Sequence, residues 1–239
     1  MGDFFNDFDF FWGKIERGEN FTFTRYADGE VMLMKGNQVD FNTQAYKVDK
    51  WGAPNHLTKL GAELFDSLKH TENNYYYAIS STTDNLADYK FLNENIAQSK
   101  DKLTFVNLWI NANYLKMKKN LCKLTRDVVV FCNHKATKDN FPFNVIDITK
   151  FPDDCVNFWE NNSDTFKLEI AEKYKDYNNT LFLISCGPAS EVIIDTLYKS
   201  NPNNTYIDVG SSIDEFVHGY QTRPYMEPTS QYYNMISKF

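Results

Sequence analysis

Apolar positions recur along this chain with two different periods, and the two alternate. Near the start, Phe4, Phe5, Phe8, Phe11 and Trp12 fall at helical spacing among acidic residues, which predicts an amphipathic helix. The run "FTFTRY" (21–26) is β-prone, "VMLMKG" (31–36) is apolar and closed by Gly36, and a polar connection containing "WGAP" follows. Residues 56–70 place Leu57, Leu60, Leu64, Phe65 and Leu68 on one helical face. "YYYAIS" (75–80) predicts a strand, and residues 103–121, "LTFVNLWINANYLKMKKNL", predict a long helix. "DVVVFC" (127–132) and "TLFLIS" (180–185) are unbroken apolar runs. Strands that read this way are buried on both faces, as in a parallel sheet. "FNVIDI" (143–148) and "TYIDVG" (205–210) complete the strands, with helical patterns at 155–177 and 190–200 between them.

Strands alternating with helices imply crossovers, and crossovers cover sheet faces. The expected fold class is therefore α/β, a Rossmann-like domain with a mostly parallel open sheet and helices on both faces. Without an internal repeat, linker or break in composition, residues 1–239 read as a single domain. The tail beyond "DEFVHGYQTRPYM" (214–226), rich in Pro, Tyr and Ser, is expected to wrap the surface.

Charge narrows the function. A net charge of −7 argues against a nucleic-acid binder, which needs clustered Lys and Arg to neutralise phosphates. The basic run at 115–126 has helical spacing and reads as a solvated face. Cys122, Cys132, Cys155 and Cys186 form no C-x-x-C pair and sit in or beside apolar runs, as expected of reduced, buried thiols. Sequons at Asn20, Asn161, Asn178 and Asn203 are what an Asn-rich chain produces by chance. No apolar signal segment and no run of bilayer-spanning length is present, so the expected location is cytoplasmic, with any membrane contact peripheral. The aromatic face of the first helix has two readings, core packing or a foot on a lipid surface.

Candidate chemistry concentrates at strand ends, where open α/β sheets bind ligands. "SSTTDN" (80–85) is one such loop. "SCGPAS" (185–190) couples a buried strand to a helix: Gly187 permits close backbone approach, Pro188 suits a first helical turn, and the helix start is an anion site. With Asp208 about 20 residues further on, at the end of the next strand, the segment also reads as the glycine-rich loop of a nucleotide-binding or S-adenosylmethionine-dependent methyltransferase fold. The second and third glycines of that fingerprint are absent. In "RYADGE" (25–30), an extended backbone would set Asp28 and Glu30 on one side, with Gly29 letting the chain bend toward a ligand. Two such carboxylates suit Mg²⁺ or Mn²⁺. Arg223 and Tyr225 of "TRPY" are placed to clamp a diphosphate and stack on a ring. His218 is a candidate base, although His56, His70, His134 and His218 show no metal spacing, and Ser185, Ser190 and Ser211 lie in no nucleophile elbow.

Taken in order, "RYADGE", "SCGPAS" and "YIDVGSSID…TRPY" form a set that resembles the GT-D type glycosyltransferases over nearly the full chain. The resemblance implies a Rossmann-like fold, a divalent cation (Mn²⁺ or Mg²⁺) and a nucleotide diphosphate sugar, a UDP-sugar, as donor to a glycan or glycoconjugate acceptor. It places Asp28 and Glu30 on the Asp-x-Glu metal pair and Arg25 on the leading basic position. Gly187 and Pro188 fall on the late Gly-Pro turn, and Asp208 and Gly210 on the strand-end Asp-x-Gly. Ser211 and Ser212 stand where other members carry a His. On this reading Gly187, Pro188, Ala189, Ser190, Gly210, Ser211, Arg223 and Tyr225 contact the donor. The proton-accepting carboxylate comes from Asp214, Asp208 or Glu215, with Asp214 expected to be the freest. A non-catalytic nucleotide-sugar-binding protein is the third reading.

Overall fold

The computed structural model describes residues 2–40 and 50–239. The chain runs α1 (Phe4–Glu16), β1 (Thr22–Tyr26), α2 (Asp28–Met34), β2 (Val39–Asp40), β3 (Gly52–Ala53), α3 (Lys59–Asp66) and β4 (Tyr75–Ile79). It continues through α4 (Leu86–Asn95), β5 (Leu103–Phe105), α5 (Tyr114–Leu121), β6 (Val128–Asn133), β7 (Val145–Phe151) and α6 (Cys155–Tyr174). β8 (Leu181–Ile184), α7 (Ser190–Ser200), β9 (Thr205–Asp208) and α8 (Asp214–His218) complete it. Seven strands form one sheet in the order β5-β4-β1-β9-β8-β6-β7, every adjacent pair parallel. β2 and β3 form a separate antiparallel pair.

Side chains of each strand alternate between two apolar layers. Val129 and Phe131 of β6 pack with α2, α3, α6 and α7, whereas Val128, Val130 and Cys132 pack with α1 and α5 on the opposite face. The same split divides Tyr75, Tyr77 and Ile79 from Tyr76 and Ala78 in β4. Burial on both sides is the reason these strands read as continuous apolar runs. The expected α/β class, with helices on both faces, is the observed one.

The first helix is started by Asp3, whose carboxylate accepts from the amides of Phe5 and Asn6. Phe4, Phe8, Phe11, Trp12 and Ile15 face the sheet; Phe5 is turned to solvent. Core packing therefore accounts for most of the aromatic stripe. Among the described residues, no helix is long and apolar enough to cross a membrane.

Several expectations from sequence are corrected. Residues 103–121 are not one helix: Leu103–Phe105 pair in parallel with β4 as an edge strand, and the helix begins only at Tyr114. Helical spacing in that stretch arose from apolar residues of a strand and a turn buried together beneath α1. The apolar stretch after "RYADGE" is helix α2, and its first turn includes Asp28 and Glu30, so the extended-backbone geometry expected for the pair is absent. On α3 and the turn beside it, Leu60, Leu64 and Leu68 are buried, but Leu57 and Phe65 are exposed. Cys122 is exposed, while Cys132, Cys155 and Cys186 are buried thiols. The "SSTTDN" loop closes on itself through Ser81 and Asp84, and the C-terminal tail covers it, Ser237 Oγ lying 2.9 Å from Asp84 Oδ1.

Phe11 is fully buried, with the rings of Phe21, Phe23, Tyr76 and Trp109 at centroid distances of 4.9–6.2 Å. Phe11→Ala is expected to destabilise the fold by about 3–5 kcal/mol, read as a lowered urea midpoint at unchanged slope. A loss below 1 kcal/mol would mean that α1 is not part of the cooperative core.

Candidate active site

β1 and β9 are neighbours, but the chain leaves their carboxyl ends toward opposite faces. After β1 it enters α2, which packs with Val31 and Leu33 on one layer; after β9 it reaches α8, whose Val217 packs on the other. This is the topological switch point of the sheet, where a crevice must open. A cavity of about 640 Å³ lies there, within the range of small-molecule sites.

Arg25 of β1 crosses the crevice. Its Nε donates to the Val106 carbonyl at 2.7 Å, and Nη1 stands 3.7 Å from Asp208 Oδ2 at the end of β9. Asp208 Oδ1 accepts the Gly210 amide at 2.7 Å. Gly210 has φ +48°, and a Cβ there would sit 1.6 Å from Arg25 Nη1, so only glycine allows the guanidinium to lie across this turn.

Asp28 opens α2 and lines the cavity, with Oδ1 accepting the Gly29 amide at 3.0 Å. Gly29 lies under Trp51, where a Cβ would come within 3.3 Å of the indole. Glu30 turns back so that its Oε2 accepts the Ala27 amide at 2.8 Å, satisfying one of the unpaired donors of the helix start. Loss of hydration, and then the charges of Asp28 and Asp208, push the Glu30 carboxyl up to about 7, against the opposing hydrogen bond from Ala27.

The turn after β8 forms another wall. Gly187, at φ +57°, and Pro188 line the cavity beside Cys155 and Trp51. Ala189 and Ser190 do not: Ala189 is fully buried, and Ser190 Oγ accepts the Cys186 amide at 3.0 Å, so both build the turn rather than the binding surface. Across the crevice, Ser211 Oγ and Tyr225 OH are 2.9 Å apart, and Arg223 Nε lies 3.9 Å from Asp214 Oδ2. Asp214 also accepts from Thr222 Oγ1 at 2.7 Å and is only 6% exposed; it lines the cavity but is not the free acid expected. Glu215 is outside the cavity wall, bound by Tyr114 OH at 2.7 Å and Lys118 Nζ at 2.8 Å. Of the expected donor contacts, Arg25, Gly187, Pro188, Gly210, Ser211, Arg223 and Tyr225 do meet at the cavity, as do Asp28, Glu30, Asp208 and Asp214.

Glu191, in the first turn of α7, was not singled out by its sequence, because an acid there is the ordinary complement to a helix dipole. The fold buries it completely. Among the described residues no donor reaches either oxygen, and its carboxyl faces that of Asp208. Burial, followed by the charges of Asp208 and Glu30, pushes Glu191 well above the usual carboxylate range. Asp208 is raised by burial as well, but Arg25 opposes the shift.

Two solved structures are similar to this chain. One is the selenomethionine-substituted structure of domain of unknown function 1792, at 16% identity; the other, at 15%, is described as that same highly conserved domain with a distinct glycosyltransferase fold. Each has a TM-score of 0.52 over 87% of this chain and 79% of the other. No protein-family profile and no curated protein sequence matches the chain. The chain thus has a glycosyltransferase-like fold.

Glu30 also sets a pH dependence. With an ordinary value of 4.5 and a native one of about 7, the folded state retains a proton that the unfolded chain has released. Its contribution to stability is complete below pH 4.5 and is lost as the pH rises toward 7. Glu30→Gln keeps the acceptor for Ala27 and stays neutral. In EDTA it should match the native protein near pH 4.5 and exceed it at pH 7.5, measured by urea midpoint; a difference of opposite sign would refute the raised value.

Proposed function

We propose that the chain is a divalent-cation-dependent glycosyltransferase of the GT-D type, transferring a sugar from a nucleotide diphosphate sugar, a UDP-sugar, to a glycan, protein or lipid-linked acceptor. The observation that carries this reading is convergence: "RYADGE", "SCGPAS" and "YIDVGSSID…TRPY", far apart in sequence, supply the walls of one cavity at the switch point of a glycosyltransferase-like sheet.

The donor set suits a hard cation. Asp28, Glu30 and Asp208 line the crevice together with the guanidinium of Arg25, and burial, followed by the neighbouring carboxylates, raises Glu30. Among the described residues there is no cluster of three or more His, Cys, Asp or Glu able to hold a metal. Mg²⁺ or Mn²⁺ would need only one or two of these carboxylates, completing its shell with water and substrate phosphate. Asp28 would be the principal ligand, with Glu30 behind it. Held there, the cation would supply positive charge to offset that of a diphosphate leaving group.

The protein's own groups do the rest. Arg25 and the Gly187 turn present positive charge and close backbone approach to the diphosphate, and Tyr225 offers a ring face. Arg25 is held by Val106 and Asp208 before any ligand arrives, so orienting it costs little when charge develops. Asp214, fixed by Thr222 and Arg223 at the cavity wall, takes the acceptor hydroxyl's proton in an inverting transfer.

Thermal shift with UDP and manganese tests the binding. Ligand at about 100 times its dissociation constant should add about 2.7 kcal/mol, equivalent to ~5–10 °C for a chain of this size. Asp28→Asn should abolish the manganese-dependent part and leave the melting temperature of the free protein unchanged. Because the carboxylates must ionise to bind metal, the manganese effect should be greater at pH 8 than at pH 6. No manganese dependence in the native protein would defeat the metal-dependent reading, and binding without turnover of any donor would favour a nucleotide-sugar-binding protein.

For the proton transfer, Asp214→Asn is expected to keep donor and metal affinity while lowering the rate on the order of 10²-fold or more. Nearly full transfer rate, or NMR of the product showing retained anomeric configuration, would remove Asp214 from that role.

A further inference from the structure

Asn111 lies in the turn that follows β5 and has φ +54°, a left-handed conformation that side chains other than glycine adopt at a cost and asparagine tolerates best. It is 6% exposed and lines the cavity. Among the described residues its side-chain amide bonds to no protein group, and it is not enclosed but open to the cavity it lines. Two residues on, Asn113 shows the ordinary arrangement: its Nδ2 donates to the carbonyls of Phe4 at 3.3 Å and Leu108 at 3.1 Å.

The turn holding Asn111 is anchored on both sides. Ile110 and Tyr114 pack with Tyr225 and Met226 in an apolar cluster of their own, and the amide of Ala112 donates to the Met235 carbonyl at 3.2 Å. A backbone that needed only the left-handed conformation would be served by glycine. Asparagine adds one donor and one acceptor at the cavity wall, held rigidly and unused by the protein. Backbone outliers of this kind collect where a ligand is gripped.

We propose that Asn111 is a specificity-determining residue of this site, its amide reading an uncharged part of the ligand that both donates and accepts hydrogen bonds. This rests on the nucleotide-sugar reading above. Phosphate oxygens only accept and are served by Arg25 and the Gly187 turn, so the partner of Asn111 is a sugar hydroxyl or the imide edge of the uracil ring.

Asn111→Gly keeps the backbone conformation and removes the amide; Asn111→Asp keeps the shape and leaves only acceptors. Folding of each is confirmed by circular dichroism and thermal melting, and affinities for UDP-glucose, UDP and inorganic pyrophosphate are measured calorimetrically with manganese. Asn111→Gly should weaken UDP-glucose about 10-fold, the scale of losing one or two hydrogen bonds, and leave pyrophosphate unchanged; Asn111→Asp should lose affinity to a similar degree. A parallel loss for UDP places the contact on the nucleoside, and a loss confined to UDP-glucose places it on the transferred sugar; either supports the proposal. Unchanged UDP-glucose affinity in Asn111→Gly, or in Asn111→Asp should the glycine variant not fold, overturns it, as does an equal loss for pyrophosphate. Native protein that binds none of the three probes overturns the nucleotide-sugar reading and this proposal together.

Discussion

The Arg25 guanidinium ties together the two strands between which the sheet divides. Parallel β1 and β9 are neighbours whose continuations go to opposite faces, and a crevice opened in this way has polar strand ends with nothing across it. Arg25 fills that position, held by the Val106 carbonyl on one side and Asp208 on the other. Its path exists only because residue 210 lacks a Cβ. Asp208 in turn fixes the Gly210 amide and faces the buried carboxyl of Glu191, so β1, β9 and the start of α7 meet at one polar cluster. Such a unit is rigid because any broken contact leaves a buried charge or amide unsatisfied.

Burial sets the charge balance around this unit. Loss of hydration, followed by the charges of neighbouring carboxylates, raises both Glu191 and Glu30. Asp28 is the more exposed at the mouth and lines the cavity with Glu30, Asp208 and Asp214. The similarity to solved glycosyltransferase-fold structures at 15–16% identity shows how little of the sequence the framework needs. Apolar residues alternating between two helical layers are enough to specify it.

Reading the chain as sequence located most of the frame. "DVVVFC" and "TLFLIS" are unbroken apolar runs because β6 and β8 are covered on both faces, and the helical periods of α1, α6 and α7 identify the covers. The stretch 103–121 misled because a short edge strand and the turn after it, buried on the same side, imitate a helix when read by spacing alone. The geometry of "RYADGE" was not legible in the sequence. Two carboxylates separated by one residue stand together on a strand and apart on a helix, and whether the chain turns after Tyr26 depends on the helix start that Glu30 caps.

What the sequence determined by itself was local: which segments are apolar enough to be buried, with which period, and where glycines, prolines and acids punctuate them. Tertiary structure alone decided which acids share an environment. Glu191 looks like any acid at a helix start, Asp214 like a free carboxylate after small residues, and Asn111 like one of many asparagines. Burial of the first beside Asp208, capture of the second by Thr222 and Arg223, and the bare amide of the third all arise from contacts between distant segments. Proton affinity and hydrogen-bond satisfaction depend on the surrounding dielectric and on partners in space, neither of which is a property of a residue's neighbours in the chain.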